Sequence, residues 1–97
     1  MAALLRSDET VLVGRWEATP AGVVADEVAK RIKSLVAYSL VKVATDDSGW
    51  DTLYRDPNDQ RFWELTYPQS EMHGGGPPKL EHITTENALR KYPGLGL

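Results

Sequence analysis

The sequence WDTLYRDPNDQRFWELTY, residues 50–67, predicts two antiparallel strands joined by a tight turn. Residues 50–55 and 61–67 are rich in the β-branched and aromatic side chains that strands favour. Between them, Pro57 presets its own backbone angle and Asp56 can hydrogen-bond back into the turn. Alternation along the second strand gives two faces, with Trp63, Leu65 and Tyr67 on one and Phe62, Glu64 and Thr66 on the other.

The segment before this hairpin predicts the main helix, over residues 27–43. Asp26 is a suitable N-cap, since its carboxylate can accept hydrogen bonds from the first turn. One face at helical spacing consists of Val28, Ile32, Leu35, Ser39 and Val43, and it is flanked by Ala29, Val36 and Leu40. Lys30, Lys33 and Ser34 fall on the opposite side. This pattern is typical of an amphipathic helix of about four turns that packs on a sheet.

The remaining segments complete an α+β fold. Residues 10–17 predict a strand, residues 23–25 a short returning strand and residues 80–83 an edge strand. A loop over 68–79 carries three glycines and two prolines, and a short helix capped by Thr84 or Thr85 runs to Tyr92. We therefore expect one domain, residues 1–97, with three to five antiparallel strands, one main helix on one face and a short C-terminal helix.

Composition excludes several classes of function. The net charge is −3 with a pI near 5.3, so the basic footprint of a nucleic-acid-binding protein is missing. The chain has no cysteine, which excludes disulfides and thiolate metal sites. No run approaches the roughly 20 apolar residues of a membrane span, and the first residues do not read as a secretion signal. We expect a cytoplasmic protein without a cofactor.

Acidic residues concentrate around the first strand of the hairpin. From Asp46 to Asp59 there are five aspartates and one arginine, a net charge of −4. These aspartates can simply form turns, or they can steer a basic partner towards the protein. Aromatic side chains beside charge are common at interface hot spots. The candidate partner-binding residues here are Asp46, Asp47, Trp50, Asp51, Tyr54 and Asp59.

The sequence WELTYPQSEMHGGGPP, residues 63–78, is the other unusual segment. An enzyme would use Glu64 or Glu71 as a base and His73 as an acid, but no metal-ligand or triad spacing supports this. A phosphate-binding loop is excluded because Pro77 and Pro78 lack N–H groups and no Lys-Ser/Thr follows. The residues read as structural are Trp63, Glu64, Tyr67, Gln69, Gly74, Gly75, Gly76 and Pro77, whereas Glu71 and His73 are further candidates for partner contact.

These segments together resemble the immunity protein 27 family of bacterial polymorphic-toxin systems. The similar segments are SGW at 48–50, LYRDPND at 53–59 and RFWELTYPQSEMHGGGPP at 61–78, with ETVLVGRW at 9–16 and VADEVAKRI at 24–32. One departure is Gln60, where the resemblance leads us to expect glycine in the turn.

The resemblance implies an α+β immunity protein, not an enzyme, that binds and neutralises a toxin encoded beside it. A cytoplasmic immunity protein implies a toxin that acts in the cytoplasm. Nucleases are the first candidates, because an acidic partner readily blocks a basic substrate groove, and NAD-consuming or protein-modifying toxins are the alternatives. Two alternatives remain at this point: a small hydrolase or metal-dependent enzyme using Glu64, Glu71 and His73, and a general protein-interaction adaptor.

Overall fold

The predicted hairpin forms the centre of a five-stranded antiparallel sheet in a computed structural model, which describes residues 5–68 and 76–93. The strands are β1 Val11–Val13, β2 Trp16–Thr19, β3 Gly22–Ala25, β4 Val41–Thr45, β5 Thr52–Arg55, β6 Phe62–Thr66 and β7 Lys79–Ile83. The helices are α1 Glu27–Ser34 and α2 Thr85–Lys91. The sheet has the order β1-β7-β6-β5-β4, while β2 and β3 form a separate two-stranded ribbon. The predicted α+β fold class is confirmed.

Each helix covers one face of the sheet. The register pairs Tyr54 with Trp63 and Arg55 with Phe62, so adjacent residues of β6 point to opposite faces. The α1 face contains a buried cluster of Leu12, Ile32, Leu35, Leu40, Trp63, Leu65 and Leu80. The α2 face contains a smaller cluster of Leu53, Phe62, Ala88 and Tyr92. Both faces predicted for residues 62–67 are therefore covered by a helix.

The main helix begins as predicted but ends earlier. The Asp26 carboxylate accepts a hydrogen bond of 2.7 Å from the backbone N–H of Ala29. After Ser34 the backbone widens into a π-helical turn over Leu35–Ser39, and the N–H of Leu40 donates to the carbonyl of Leu35 at 2.8 Å. The prediction of a helix to residue 43 is wrong, because Val41–Thr45 pairs with β5 as an edge strand. Backbone pairing with β5 outweighs the helical spacing of Val43.

The predicted strand over 10–17 is broken at Gly14. Its N–H donates to the carbonyl of Pro78 at 2.8 Å, and a Cβ there would lie 2.7 Å from that same oxygen. Only glycine permits this approach, and the chain then leaves the sheet to form the ribbon of β2 and β3. The prediction of an edge strand at 80–83 is also wrong, because β7 lies between β1 and β6.

The turn between β5 and β6 explains the expectation of glycine at position 60. Gln60 has a φ of 67°, in the left-handed region that side chains other than glycine adopt at a cost. Its N–H donates to the carbonyl of Asp56 at 2.7 Å, and the buried Asp56 carboxylate accepts from Asn58 N–H at 2.9 Å. The turn keeps its shape with glutamine because these hydrogen bonds hold it.

A salt bridge between Glu9 and Arg31 connects the N-terminal segment to α1. Arg31 Nη1 and Nη2 donate to the two oxygens of the Glu9 carboxylate, each at 2.6 Å. This hydrogen bonding with Arg31 lowers the pKa of Glu9 from 4.5 to about 2 against the opposing effect of burial. A carboxyl group whose pKa is lower in the folded chain than in the unfolded chain stabilises the fold at pH values above its unfolded pKa. That contribution is lost as the pH falls through the folded pKa.

We therefore expect Arg31→Met to reduce the acid sensitivity of the protein. The parent should lose stability as pH falls from 4.5 towards 2, since the unfolded chain takes up a proton that folded Glu9 does not. Urea unfolding midpoints at pH 6 and pH 3 measure the difference. The exposed neighbour Lys30, changed to methionine, is the control. Equal pH dependence in the Arg31→Met variant and the parent would contradict the assignment.

Candidate functional site

The loop between β4 and β5 brings together four of the candidate partner-binding residues: Asp46, Asp47, Trp50 and Asp51. Asp46 has an internal role, because its Oδ1 accepts from Ser48 Oγ at 2.7 Å, Gly49 N–H at 3.0 Å and Asp51 N–H at 3.3 Å. The hydrogen bond from Ser48 is the largest of the effects that shift the pKa of Asp46, and the net shift is downward. Asp46 thus shapes the loop that presents Trp50, which is 59% exposed.

Asp51 belongs to a charged cluster on the α2 side of the sheet. Lys91 Nζ lies 2.7 Å from Asp51 Oδ2 and 2.6 Å from Glu64 Oε2, and the Tyr92 hydroxyl donates to Glu64 at 2.8 Å. Burial alone would lower the pKa of Lys91, but the hydrogen bonds to both carboxylates raise it. Burial and the bond to Glu64 raise the pKa of Tyr92. Nothing in the sequence pattern indicated that Lys91 and Tyr92 would reach these acids.

Asp59 lies at the opposite end of β5, in the turn that precedes β6. Its carboxylate accepts from Arg61 Nε at 2.6 Å and from Arg61 N–H at 3.0 Å. Burial opposes ionisation, but the bonds from Arg61 lower the pKa of Asp59 overall. Asp47 differs from the other three acids, since it is exposed and forms no hydrogen bond or ion pair with any residue described. Asp47 is therefore the acid of this group whose carboxylate has no described partner within the protein.

A cavity of about 530 Å³ opens on the other side of the same loop. It lies between α1, the ribbon of β2 and β3, and the residues next to β6. The side chains that define it are Trp16, Ile32, Lys33, Trp50, Leu65 and Tyr67. Trp50 and Tyr67 meet edge to face with ring centroids 6.2 Å apart. We call this site the Trp16–Trp50 cavity; most of the described residues that line it are apolar or aromatic.

The other residues selected from sequence are distributed as follows. Tyr54 is half-buried on the α1 face, where burial raises its pKa. Trp63 is fully buried in the core, Gly76 lines the Trp16–Trp50 cavity and Pro77 lines a small neighbouring pocket. Gln69, Glu71, His73, Gly74 and Gly75 lie outside the described residues. Sequence reasoning missed Trp16, because the break at Gly14, after which Trp16 lines the cavity beside α1, was not predicted.

Two observations concern the enzyme alternative. Across residues 5–68 and 76–93, no three histidine, aspartate or glutamate side chains are grouped so that they could hold a metal ion. The Glu64 carboxylate is already bonded to Lys91 and Tyr92. None of the helices described has the length and hydropathy needed to cross a membrane.

The family model described as Immunity protein 27 matches residues 18–84, more than half of the chain. The chain belongs to the immunity protein 27 family. The matched region runs from β2 to the N-cap of α2, so it includes α1, the loop with Trp50 and the hairpin of β5 and β6. No significant match was found among curated proteins or among solved structures. Membership of the immunity protein 27 family is thus the comparison on which a function can be argued.

Proposed function

We propose that this protein binds and neutralises a cognate toxin that acts in the bacterial cytoplasm, and that the toxin is a nuclease. Membership of the immunity protein 27 family over residues 18–84 is the observation that carries the proposal. An acidic protein with a net charge of −3 is suited to block the basic groove of a nuclease. In this proposal the protein acts in bacterial competition, in the cytoplasm of the cell that makes the toxin.

The arrangement of Glu64 favours binding over catalysis. A general base must reach its substrate with a free carboxylate. Lys91 and Tyr92 both contact the Glu64 carboxylate, at 2.6 and 2.8 Å. The hydrolase alternative based on Glu64, Glu71 and His73 therefore has less support than an inhibitor that acts by occupying a surface of its partner.

The proposal predicts protection together with a stable complex. Cells that express the toxin from the adjacent gene should stop growing, and co-expression of this protein should restore growth. The two purified proteins should co-elute in size-exclusion chromatography. The variant Ile32→Asp, which buries a carboxyl group in the core, is the control for protection that needs the folded protein. Restored growth without any complex would contradict inhibition by binding and would point to an enzyme that repairs the damage.

A basic toxin should also respond to the charge of Asp47. We expect Asp47→Lys to slow association roughly two- to fivefold at low salt, with a smaller change in dissociation, because exposed rim charges act mainly on encounter. The difference should shrink at high salt, where the screening length is shorter. Asp8→Lys is the matched control, since the Asp8 side chain is 80% exposed and lies in the N-terminal segment. Association rates from stopped-flow measurements that match the parent at every salt concentration would remove Asp47 from the interface.

A further inference from the structure

The Trp16–Trp50 cavity has the features of a binding surface rather than of a gap in the core. Its volume, about 530 Å³, is in the range of roughly 300–1,000 Å³ found for ligand pockets. Its two tryptophans are 40% and 59% exposed, although the protein has a third tryptophan, Trp63, that is fully buried. Large exposed aromatic side chains around an apolar depression are typical of protein–protein interfaces.

The apolar surface continues from the cavity onto the ribbon. The register of β2 and β3 pairs Trp16 with Ala25 and Ala18 with Val23. Residues two apart in a strand share a face, so Ala18 and Val23 lie on the same face as Trp16 and Ala25, which line the cavity. Val23 is 69% exposed. The ribbon therefore extends the cavity wall with the exposed side chains of Ala18 and Val23.

Charge indicates what kind of segment fits this surface. Lys33 is the one charged residue among the described residues that line the cavity. Within residues 5–68 and 76–93 its ammonium has no ion pair, whereas Lys30, one turn earlier in α1, is 3.6 Å from Glu27. An apolar cavity next to the Lys33 ammonium is complementary to a partner segment that carries an apolar side chain and a carboxylate beside it.

We propose that the toxin docks in the Trp16–Trp50 cavity. A toxin segment inserts an aromatic or long aliphatic side chain beside Trp16 and Trp50 and places an acidic residue against Lys33. This inference rests on the proposed function and names the surface that performs it. The contact with Lys33 is local, so it is compatible with a toxin that is basic overall and is steered by Asp47.

The test measures the affinity of the toxin domain encoded by the adjacent gene, with titration calorimetry. Trp16→Ala and Trp50→Ala should each weaken binding at least tenfold, because tryptophans at the centre of an interface carry much of the binding energy. Tyr38→Ala is the matched control, since Tyr38 is 82% exposed and does not line the cavity. It should bind within twofold of the parent.

A second pair of variants tests the charge. Lys33→Glu should weaken binding at least tenfold by repelling the acidic residue of the toxin, whereas Lys30→Glu, on the exposed side of the same helix, should change it by less than threefold. A third variant fills the space instead of emptying it: Ala25→Phe places a ring in the cavity and should block the toxin. Thermal unfolding of every variant, compared with the parent, shows that loss of binding is not loss of fold.

The outcomes separate this inference from the proposed function. If the parent binds the toxin and the tryptophan, Lys33 and Ala25 variants bind within twofold of it, the toxin docks elsewhere and the inference is wrong while the function stands. If the parent itself does not bind, the proposed function fails. If the inference is right, toxin binding also shifts tryptophan emission to shorter wavelength, and the shift disappears in the double variant Trp16→Phe and Trp50→Phe, which keeps the buried Trp63.

Discussion

Replacing Ile32 by aspartate is expected to leave the protein unfolded at room temperature. Ile32 is 1% exposed and lies in the cluster between α1 and the sheet. The change removes roughly 1.5–3 kcal/mol of apolar burial, and it places a carboxyl group at a buried position within an apolar cluster, which costs several kcal/mol more. A domain of this size has only about 5–15 kcal/mol of stability in total. Far-UV circular dichroism and thermal unfolding measure the outcome.

The control for this variant is Lys30→Asp, which introduces the same residue at an exposed position of the same helix. It should keep the native spectrum and unfold cooperatively. Native circular dichroism with cooperative unfolding in the Ile32→Asp protein would mean that α1 does not pack on the sheet through this residue.

Truncating Tyr92 should have the next largest effect on stability. Tyr92 is 3% exposed, and it packs with Leu53 and Phe62 on the face of the sheet opposite to α1. Tyr92→Ala should lower the free energy of unfolding by roughly 3–5 kcal/mol, as aromatic truncations in cores do. Tyr92→Phe keeps the ring and removes the hydroxyl that donates to Glu64 at 2.8 Å, so it should cost about 0.5–1.5 kcal/mol.

Urea unfolding curves of the two variants separate the ring from the hydroxyl. The slopes should match the parent, because the surface exposed on unfolding hardly changes, and only the midpoints should move. Leu89→Ala, at a position of α2 that is 40% exposed, is the control. A Tyr92→Ala midpoint equal to that of Leu89→Ala would show that α2 does not cover this face of the sheet.

The sequence predicted the centre of the fold better than its connections. The alternation of residues 62–67 and the apolar spacing from Val28 to Leu35 are local patterns, and both were confirmed. The end of α1 was missed because Val41–Thr45 carries two preferences: helical spacing with the residues before it, and strand-forming side chains that pair with β5. Pairing with β5 depends on residues 52–55, which lie beyond the segment whose spacing predicted the helix.

The candidate site was harder to predict for the same reason. Composition identified the aspartates of residues 46–59, but it did not distinguish those with internal partners from Asp47. Asp51 and Glu64 both pair with Lys91, which lies 40 residues beyond Asp51 in the chain. Trp16 reaches the cavity only because the chain leaves the sheet after Gly14. These contacts arise from the topology, so residue type alone could not indicate them.

The separate ribbon of β2 and β3 has a consequence for the timescale on which the cavity wall moves. A two-stranded ribbon is marginally stable by itself, whereas β6 and β7 are each flanked by a strand on both sides. Backbone amides of Trp16–Thr19 and Gly22–Ala25 should therefore exchange with solvent deuterium well before those of β6 and β7. Each opening of the ribbon displaces Trp16 and Ala25 together. A partner bound to this wall would hold the ribbon closed. The backbone amides of β2 and β3 would then exchange only as fast as the complex dissociates.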